Sequence, residues 1–314
     1  MSSTKTPVKV RTSETGRVDT VDASQKPRIH RKRPLEYVSW AVFILLAAGL
    51  AYSLTTNPNY QWNVVAQYFT SESILRGLGL TLVLTAVSML LGTLIGLLVA
   101  VMRASSIRPI MLAASAYITF FRGTPVLVQL IFWFNLAALY PHLAIGIPFT
   151  NVSQTIDVNQ IMSATTAAII GLSLNEAAYM AEIIRGGFTS VGKGQLEAAD
   201  SLGMSGMTKL RKIIIPQAMP AIIPATGNQV IGMFKETSLV SVLGVAELLQ
   251  SAQLIYARTY QTIPLLIVAC LWYLAMTLLL SYPQSLIEKR YSRSTAAIGR
   301  TIMPTEPAQI GEGK

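Results

Sequence analysis

The chain has 314 residues, of which 52% are hydrophobic and only 13% charged, where a soluble domain carries about a quarter charged residues. Its mean hydropathy is +0.48 and its apolar residues fall in long runs, which excludes an ordinary soluble protein and predicts one helical membrane domain. A closed β-barrel needs roughly ten-residue alternating segments, and the sequence has none. The net charge is +10, and nine of the 25 Lys and Arg lie in the first 34 residues. That excess matches the bias of cytoplasmic segments toward cations, with some attraction to anionic lipid. The tail has no aromatic residue to stack on a base, so no nucleic-acid partner is expected.

In chain order, residues 1–34 are polar and aperiodic and read as a disordered basic tail. The first span runs from about Tyr37 to Thr55, with Trp40 placed to anchor it at an interface. A stretch of basic residues this long before a spanning run does not read as a secretory signal. The second span covers about Ile74 to Met102. Within it, Gly92 and Gly96 have the small-xxx-small spacing that lets helix backbones approach. The third apolar stretch, 109–140, is too long for one straight span, and Pro125 in Arg122-Gly123-Thr124-Pro125 is expected to break it.

The fourth span runs from about Ile161 to Ile184, followed by a basic polar loop at 185–215. A fifth span starts at Pro216, a residue suited to a first helical turn, and is interrupted at Lys235-Glu236-Thr237-Ser238. Residues 239–262 read as amphipathic or re-entrant. The sixth span covers about 263–287, and a basic tail follows it. Cys270, the single cysteine, lies inside that run and reads as a small hydrophobe. Lys and Arg cluster in the N-terminal tail, 103–108, 185–215 and the C-terminal tail, while 56–73 and 141–161 have none. This asymmetry predicts six spans with both termini cytoplasmic, and it leaves Arg258 on the outer side against the trend.

The polar loop carries Glu197-Ala198-Ala199-Asp200-Ser201-Leu202-Gly203, then nine residues, then Ile213-Ile214-Ile215-Pro216. Gly192 and Gly194 allow a new helix to begin at Gln195, with Glu197 in the first turn where a carboxylate is favoured. Ala198 and Ala199 are small enough for another surface to come close. Gly203 suits a left-handed C-cap. A second short helix, about 205–213, carries Lys209, Arg211 and Lys212.

The spacing from Glu197 through Gly203 to Pro216 resembles the "EAA" loop of ABC-importer permeases, with Ile215 where the family motif has Leu. Phe121-Arg122-Gly123-Thr124-Pro125, Leu174 to Glu182, Gly194 to Ala199 and Phe234 to Leu239 resemble the polar amino-acid branch of those permeases. The similarity covers about residues 70–290. It implies an all-α membrane protein of the ABC importer type I permease fold: a 70–290 transmembrane domain holding a 185–216 coupling loop. Residues 1–34 (tail), 35–69 (first helix and outer segment) and 291–314 (cytoplasmic tail) flank it.

The resemblance also implies the partners. These are ABC ATPase subunits on the loop, an external solute-binding protein, a second permease copy or paralogue, membrane lipid and an amino-acid substrate. Glu197, Ala198, Ala199, Gly203, Lys209 and Arg211 would form the ATPase contact. Consistent with a separate ATPase, the chain has no Gly-x4-Gly-Lys-Ser/Thr phosphate loop, and Gly192-Lys193-Gly194 is too short to be one.

Ionisable residues in a bilayer default to a functional reading. Asn175 and Glu176 lie mid-span, and Glu176 stands where the family often has a small residue. Its carboxylate could hold a cationic substrate group or bridge to Arg122 or Lys235. Thr124 and Glu236, each at a helix break, complete the expected pathway. Glu182 and Arg185 read as a helix-surface ion pair. His30 and His142 fall in separate segments, so neither catalysis, a metal nor a cofactor is expected. The competing reading is a stand-alone secondary transporter or channel.

Overall fold

A computed structural model describes residues 34–146 and 153–301. The expected basic tail therefore lies outside the described residues except for Pro34, as do the last residues of the C-terminal tail. The chain divides into two units, residues 1–58 and 59–314. In the first, α1 spans Pro34–Thr56. At 1.5 Å per residue its 23 residues reach about 34 Å, enough for a hydrocarbon core of about 30 Å. Trp40 sits near its start with Phe43 edge-on at 5.9 Å.

The second unit opens with a short helix missed by the sequence reading, α2 (Trp62–Phe69). Its polar stretch had masked a four-residue apolar face. The next helix, α3 (Glu72–Arg103), is one unbroken rod of 32 residues. After Ile107 come α4 (Arg108–Gly123) and α5 (Val126–Phe134), which meet at 103°. Pro125 stands between them with the φ of −63° that its ring fixes, and Thr124 before it is extended, as a residue preceding proline favours.

A single turn, α6 (Leu136–Leu139), leads into an antiparallel hairpin, β1 (His142–Gly146) with β2 (Ser153–Asp157), that pairs His142 with Asp157. This hairpin qualifies the all-α expectation without changing the helical fold. It occupies the segment that lacks Lys and Arg, too short between spans to form another one. One more turn, α7 (Val158–Ile161), precedes α8 (Ala164–Thr189).

Beyond α8 the chain forms α9 (Lys193–Ser201) and α10 (Gly206–Lys209). A wide π-helical turn at Leu210–Ile214 joins α10 to α11 (Ile215–Glu236). The expected separate helix over 205–213 is thus the start of one continuous helix. The π turn lies just before Pro216, where an ordinary turn would press the proline ring on the carbonyl four residues back. A 3-10 segment (Thr237–Leu243), α12 (Leu248–Thr259) and α13 (Thr262–Thr301) complete the unit. Helix α13 runs well past the expected end of the sixth span, so 291–301 is helical.

Among the described residues, four helices are long and apolar enough to span, and the number rises to as many as six if each of the two bent pairs is one span. Helix α8 is the central element and packs on α3, α4, α5 and α11. Its seam with α3 rests on missing side chains. A Cβ on Gly92 would meet Glu176 Cβ and Cγ at 2.7 Å, and one on Gly96 would meet Met180 Cβ at 2.7 Å. The small-xxx-small pair therefore packs, as its spacing suggests. Register rises together on both helices, so α3 and α8 are parallel. Leu84, Leu130, Leu172, Met180 and Met233 fill the core around them.

Gly92→Val is expected to force this seam apart, at the cost of about 1–3 kcal/mol typical of overpacking. Gly79 faces open space, and Gly79→Val should leave the seam intact. Unfolding midpoints of the two purified variants in detergent test the contrast.

Candidate functional site

Two features stand out: an exposed helical hairpin beyond α8, and a set of buried polar side chains at the helix breaks. In the hairpin, α9 begins at Lys193 with Gly192 as its cap. Glu197 is therefore in the second turn, two residues deeper than expected, because both glycines are accommodated at the helix start. Its side chain and that of Ala198 face solvent, while Ala199 is buried.

Gly203 adopts φ +66°. The amide of Met204 donates to Ala199 O at 3.1 Å and that of Gly203 to Asp200 O at 2.9 Å. This is the double closure of a Schellman turn, and it uses the left-handed residue that glycine supplies freely. Lys209 Nζ reaches back to Asp200 Oδ1 at 2.5 Å, so Lys209 ties α9 to α10, whereas Arg211 stays exposed. The sequence reading passed over Leu202 and Met207. They are 80% and 72% exposed and flank the turn as apolar knobs on an otherwise polar surface.

The second feature begins with a missing donor. In a continuous helix the carbonyl of Phe121 would accept from residue 125, and Pro125 has no N–H. Gln129 Nε2 donates to Phe121 O at 3.0 Å, and also to Thr124 O and Oγ1. Asn175 Nδ2, arriving from α8, donates to the same Phe121 O at 3.0 Å and to Gln129 Oε1 at 3.1 Å. Thr124 Oγ1 donates to Phe120 O at 2.8 Å. Asn175 and Thr124 are thus joined in one network that holds the 103° bend. Gln129, at its centre, was missed, although an amide within an apolar run is itself a signal.

Glu176 is almost fully buried at 1% exposure. Gln229 Nε2, from α11, donates to its Oε2 at 3.0 Å. Oε1 meets no donor among the described residues, nor do the buried hydroxyls of Ser88 and Ser173 find partners there. The bridges from Glu176 to Arg122 or Lys235 do not form. Arg122 instead lies over the Tyr179 ring at 5.3 Å and 4.0 Å from Glu182. Lys235 is exposed.

Glu236 is half-buried at the end of α11. The break after it leaves few bare carbonyls: Thr237 Oγ1 donates to Phe234 O and Ser238 Oγ to Lys235 O, both at 2.7 Å.

Two further acids have structural partners. Glu182 accepts from Arg185 at 2.7 Å and also faces Arg103 at 3.6 Å, so the expected pair is part of a cluster joining α3, α4 and α8. Glu247, another residue the sequence reading missed, is fully buried. It accepts from the amides of Leu249 and Gln250 at the start of α12 and from Tyr273 Oη at 2.9 Å.

A multi-span helical bundle with broken spans, buried polar side chains at the breaks and a polar hairpin beyond its central helix is the architecture of a membrane permease. The sequence matches the model of the family described as "Binding-protein-dependent transport system inner membrane component" over residues 92–293, and the chain belongs to that family. It is 37% identical to the arginine transport system permease protein ArgU of Corynebacterium glutamicum, over 90% of this chain and 87% of that protein. Identity to the L-cystine transport system permease protein TcyB of Bacillus subtilis is 36%, over 78% and 97% of the two chains. A chain from the crystal structure of an amino acid ABC transporter with histidines superposes with a TM-score of 0.60 at 42% identity, covering 69% of this chain and 94% of that one.

The chain therefore has the ABC importer type I permease fold and is a multi-pass membrane transport protein for amino acids. Permease subunits of this family are not themselves enzymes.

Gln129→Leu removes the donor shared by Phe121 and Thr124 and leaves Asn175 to hold the bend. The expected loss is about 1–3 kcal/mol, the cost of an unsatisfied buried group. Thermal unfolding of the purified variant reads it, and an unchanged midpoint would assign the bend to Pro125 alone.

Proposed function

We propose that this chain is the permease subunit of an ATP-driven importer that moves a polar amino acid with a cationic group by alternating access. The observation that carries the proposal is the path of the chain. Central helix α8 leads into the closed α9–α10 hairpin, which continues without interruption into α11. A push on the hairpin is then delivered to the two helices that hold Glu176 and Gln229. Exposed Glu197, Ala198, Leu202 and Met207 offer a contact surface for an ATPase. Ala199 and Gly203 keep α9 short and close to its neighbours, and Lys209 stiffens the turn.

In this reading both termini are cytoplasmic, and residues 70–290 form the transmembrane domain with 185–216 as its coupling loop. Two ATPase subunits, a second permease copy or paralogue and an external solute-binding protein complete the assembly. ATP binding draws the ATPases together, the hairpins move α8 and α11, and the pathway opens toward the loaded binding protein. Hydrolysis returns it.

Glu176 is the group we assign to the substrate's cationic end. Glu236 adds a second negative charge nearby, while Asn175 and Thr124 shape the wall by fixing the bend. The named transport systems of the relatives, arginine and cystine, and the histidines of the structural neighbour fit a polar amino acid as cargo.

Glu197→Lys is expected to abolish substrate-stimulated uptake in vesicles containing the full complex, with normal membrane insertion. Uptake at the wild-type level would sink the coupling assignment, and uptake by this chain without an ATPase would favour a stand-alone carrier. Glu176→Gln should lower uptake of arginine or lysine about tenfold more than that of glutamine, as loss of one charge-assisted hydrogen bond implies. Equal losses for all substrates would make Glu176 structural.

A further inference from the structure

A cavity of about 570 Å³ opens between the start of α3 and the end of α12, with Tyr68 of α2 on one side. That size lies within the roughly 300–1,000 Å³ range of small-molecule sites. It sits at the end of the bundle opposite α9, because α3 and α8 run parallel and α9 follows the far end of α8. None of the polar side chains assigned to transport lines it.

Its lining is divided by chemistry. Arg76 and Arg258, with the hydroxyls of Ser73 and Thr259, make the polar part, and Leu80 and Leu254 make an apolar wall. Leu254 is 45% exposed, so the wall continues onto the outer surface of the bundle. Gly77 in its lining is where α3 and α12 come close: a Cβ there would meet Glu247 O and Ser251 Cβ at 2.9 Å.

The two arginines stand against the charge bias of their surroundings. Segments 59–71 and 153–161, on the same side of the bundle, have no Lys or Arg. Local roles account for each arginine in part. Arg76 pairs with exposed Glu72 one turn away, a contact of small energy. Arg258 lies in the last turn of α12, where a cation suits the helix dipole. Neither role explains why both line one cavity. Two guanidinium groups against one carboxylate leave its rim with a net positive charge, next to exposed Leu254 and to Leu80, which packs inward on the core.

We propose that this cavity is a binding site for an anionic phospholipid, with the phosphate between Arg76 and Arg258 and an acyl chain along Leu80 and Leu254. Guanidinium groups suit phosphate because they present a planar fork of donors. Arginine–phosphate contacts are charge-assisted and frequently bidentate. An acidic protein surface would be met by the arginines but has no use for the leucine wall.

Native mass spectrometry of the full chain, titrated with phosphatidylglycerol or phosphatidylcholine, tests the proposal. The wild type should bind phosphatidylglycerol about tenfold more tightly than phosphatidylcholine. The R76Q/R258Q protein should lose that preference, and R76K/R258K should keep most of it and so control for folding. Equal binding of the two lipids, or an unchanged preference in R76Q/R258Q, overturns the site. Displacement of the lipid by millimolar inorganic phosphate would reveal a bare anion site and overturn the lipid assignment. So would R76Q/R258Q keeping its lipid preference while losing stimulation by the solute-binding protein, which would assign the arginines to a protein contact.

Discussion

A backbone carbonyl in hydrocarbon has no water to bond, so a spanning helix can break only where other groups take over its lost partners. The arrangement around Pro125 follows from that constraint. Proline removes the donor for Phe121 O, and two side-chain amides, from Gln129 and Asn175, converge on it. One comes from the helix after the break and the other from α8, so the turn between α4 and α5 is pinned to the central helix. The second break meets the same demand more locally, through the hydroxyls of Thr237 and Ser238. The polar residues at the breaks are engaged with backbone, whereas Glu176 keeps one oxygen unpartnered among the described residues.

Close packing determines where that carboxylate lies. Gly92 leaves room for Glu176 at the seam of α3 and α8, and Gly96 does the same for Met180 one turn on. Without those glycines the two parallel helices could not approach closely enough to bury a carboxylate between them. Van der Waals contact between backbones is the main attraction available to helices in lipid. It therefore sets both the stability of the seam and the dry surroundings of the charge. Gln229 closes the third side from α11, which makes the environment of Glu176 depend on the relative position of three helices.

Much of this was legible from residue order because the bilayer allows few solutions. Long apolar runs gave the spans, Pro125 gave the sharp bend, and the spacing of Gly92 and Gly96 gave the seam. Gly203 announced its left-handed turn. What sequence spacing could not show was which polar groups meet across helices. Asn175 and Glu176 are adjacent in the chain yet point to different neighbours, one to the α4–α5 bend and the other to α11, because successive residues on a helix differ by about 100°. Lys209 read as part of an ATPase contact, and its partner Asp200 lies nine residues back across a turn. The continuity of α10 into α11 was hidden by Pro216, which normally marks a helix start. The π turn that absorbs the proline has no composition signature.

That continuity bears directly on how the hairpin could act. A flexible joint after α10 would let the hairpin move without moving α11, and any force on Glu197 or Leu202 would be lost in the joint. A helix unbroken from Gly206 to Glu236 carries displacement along its length, and Pro220 and Pro224 inside it remove internal bonds at places where it can bend rather than separate. The π turn lies at the base of this lever and keeps the chain helical through Pro216. In the proposed coupling, motion entering at α9 would be divided between α8, through Val191 and Gly192, and α11, through the π turn. The residue pair that spans those two helices is Glu176 with Gln229. A small relative shift of α8 and α11 would then stretch one hydrogen bond at a buried carboxyl group whose other oxygen has no partner among the described residues.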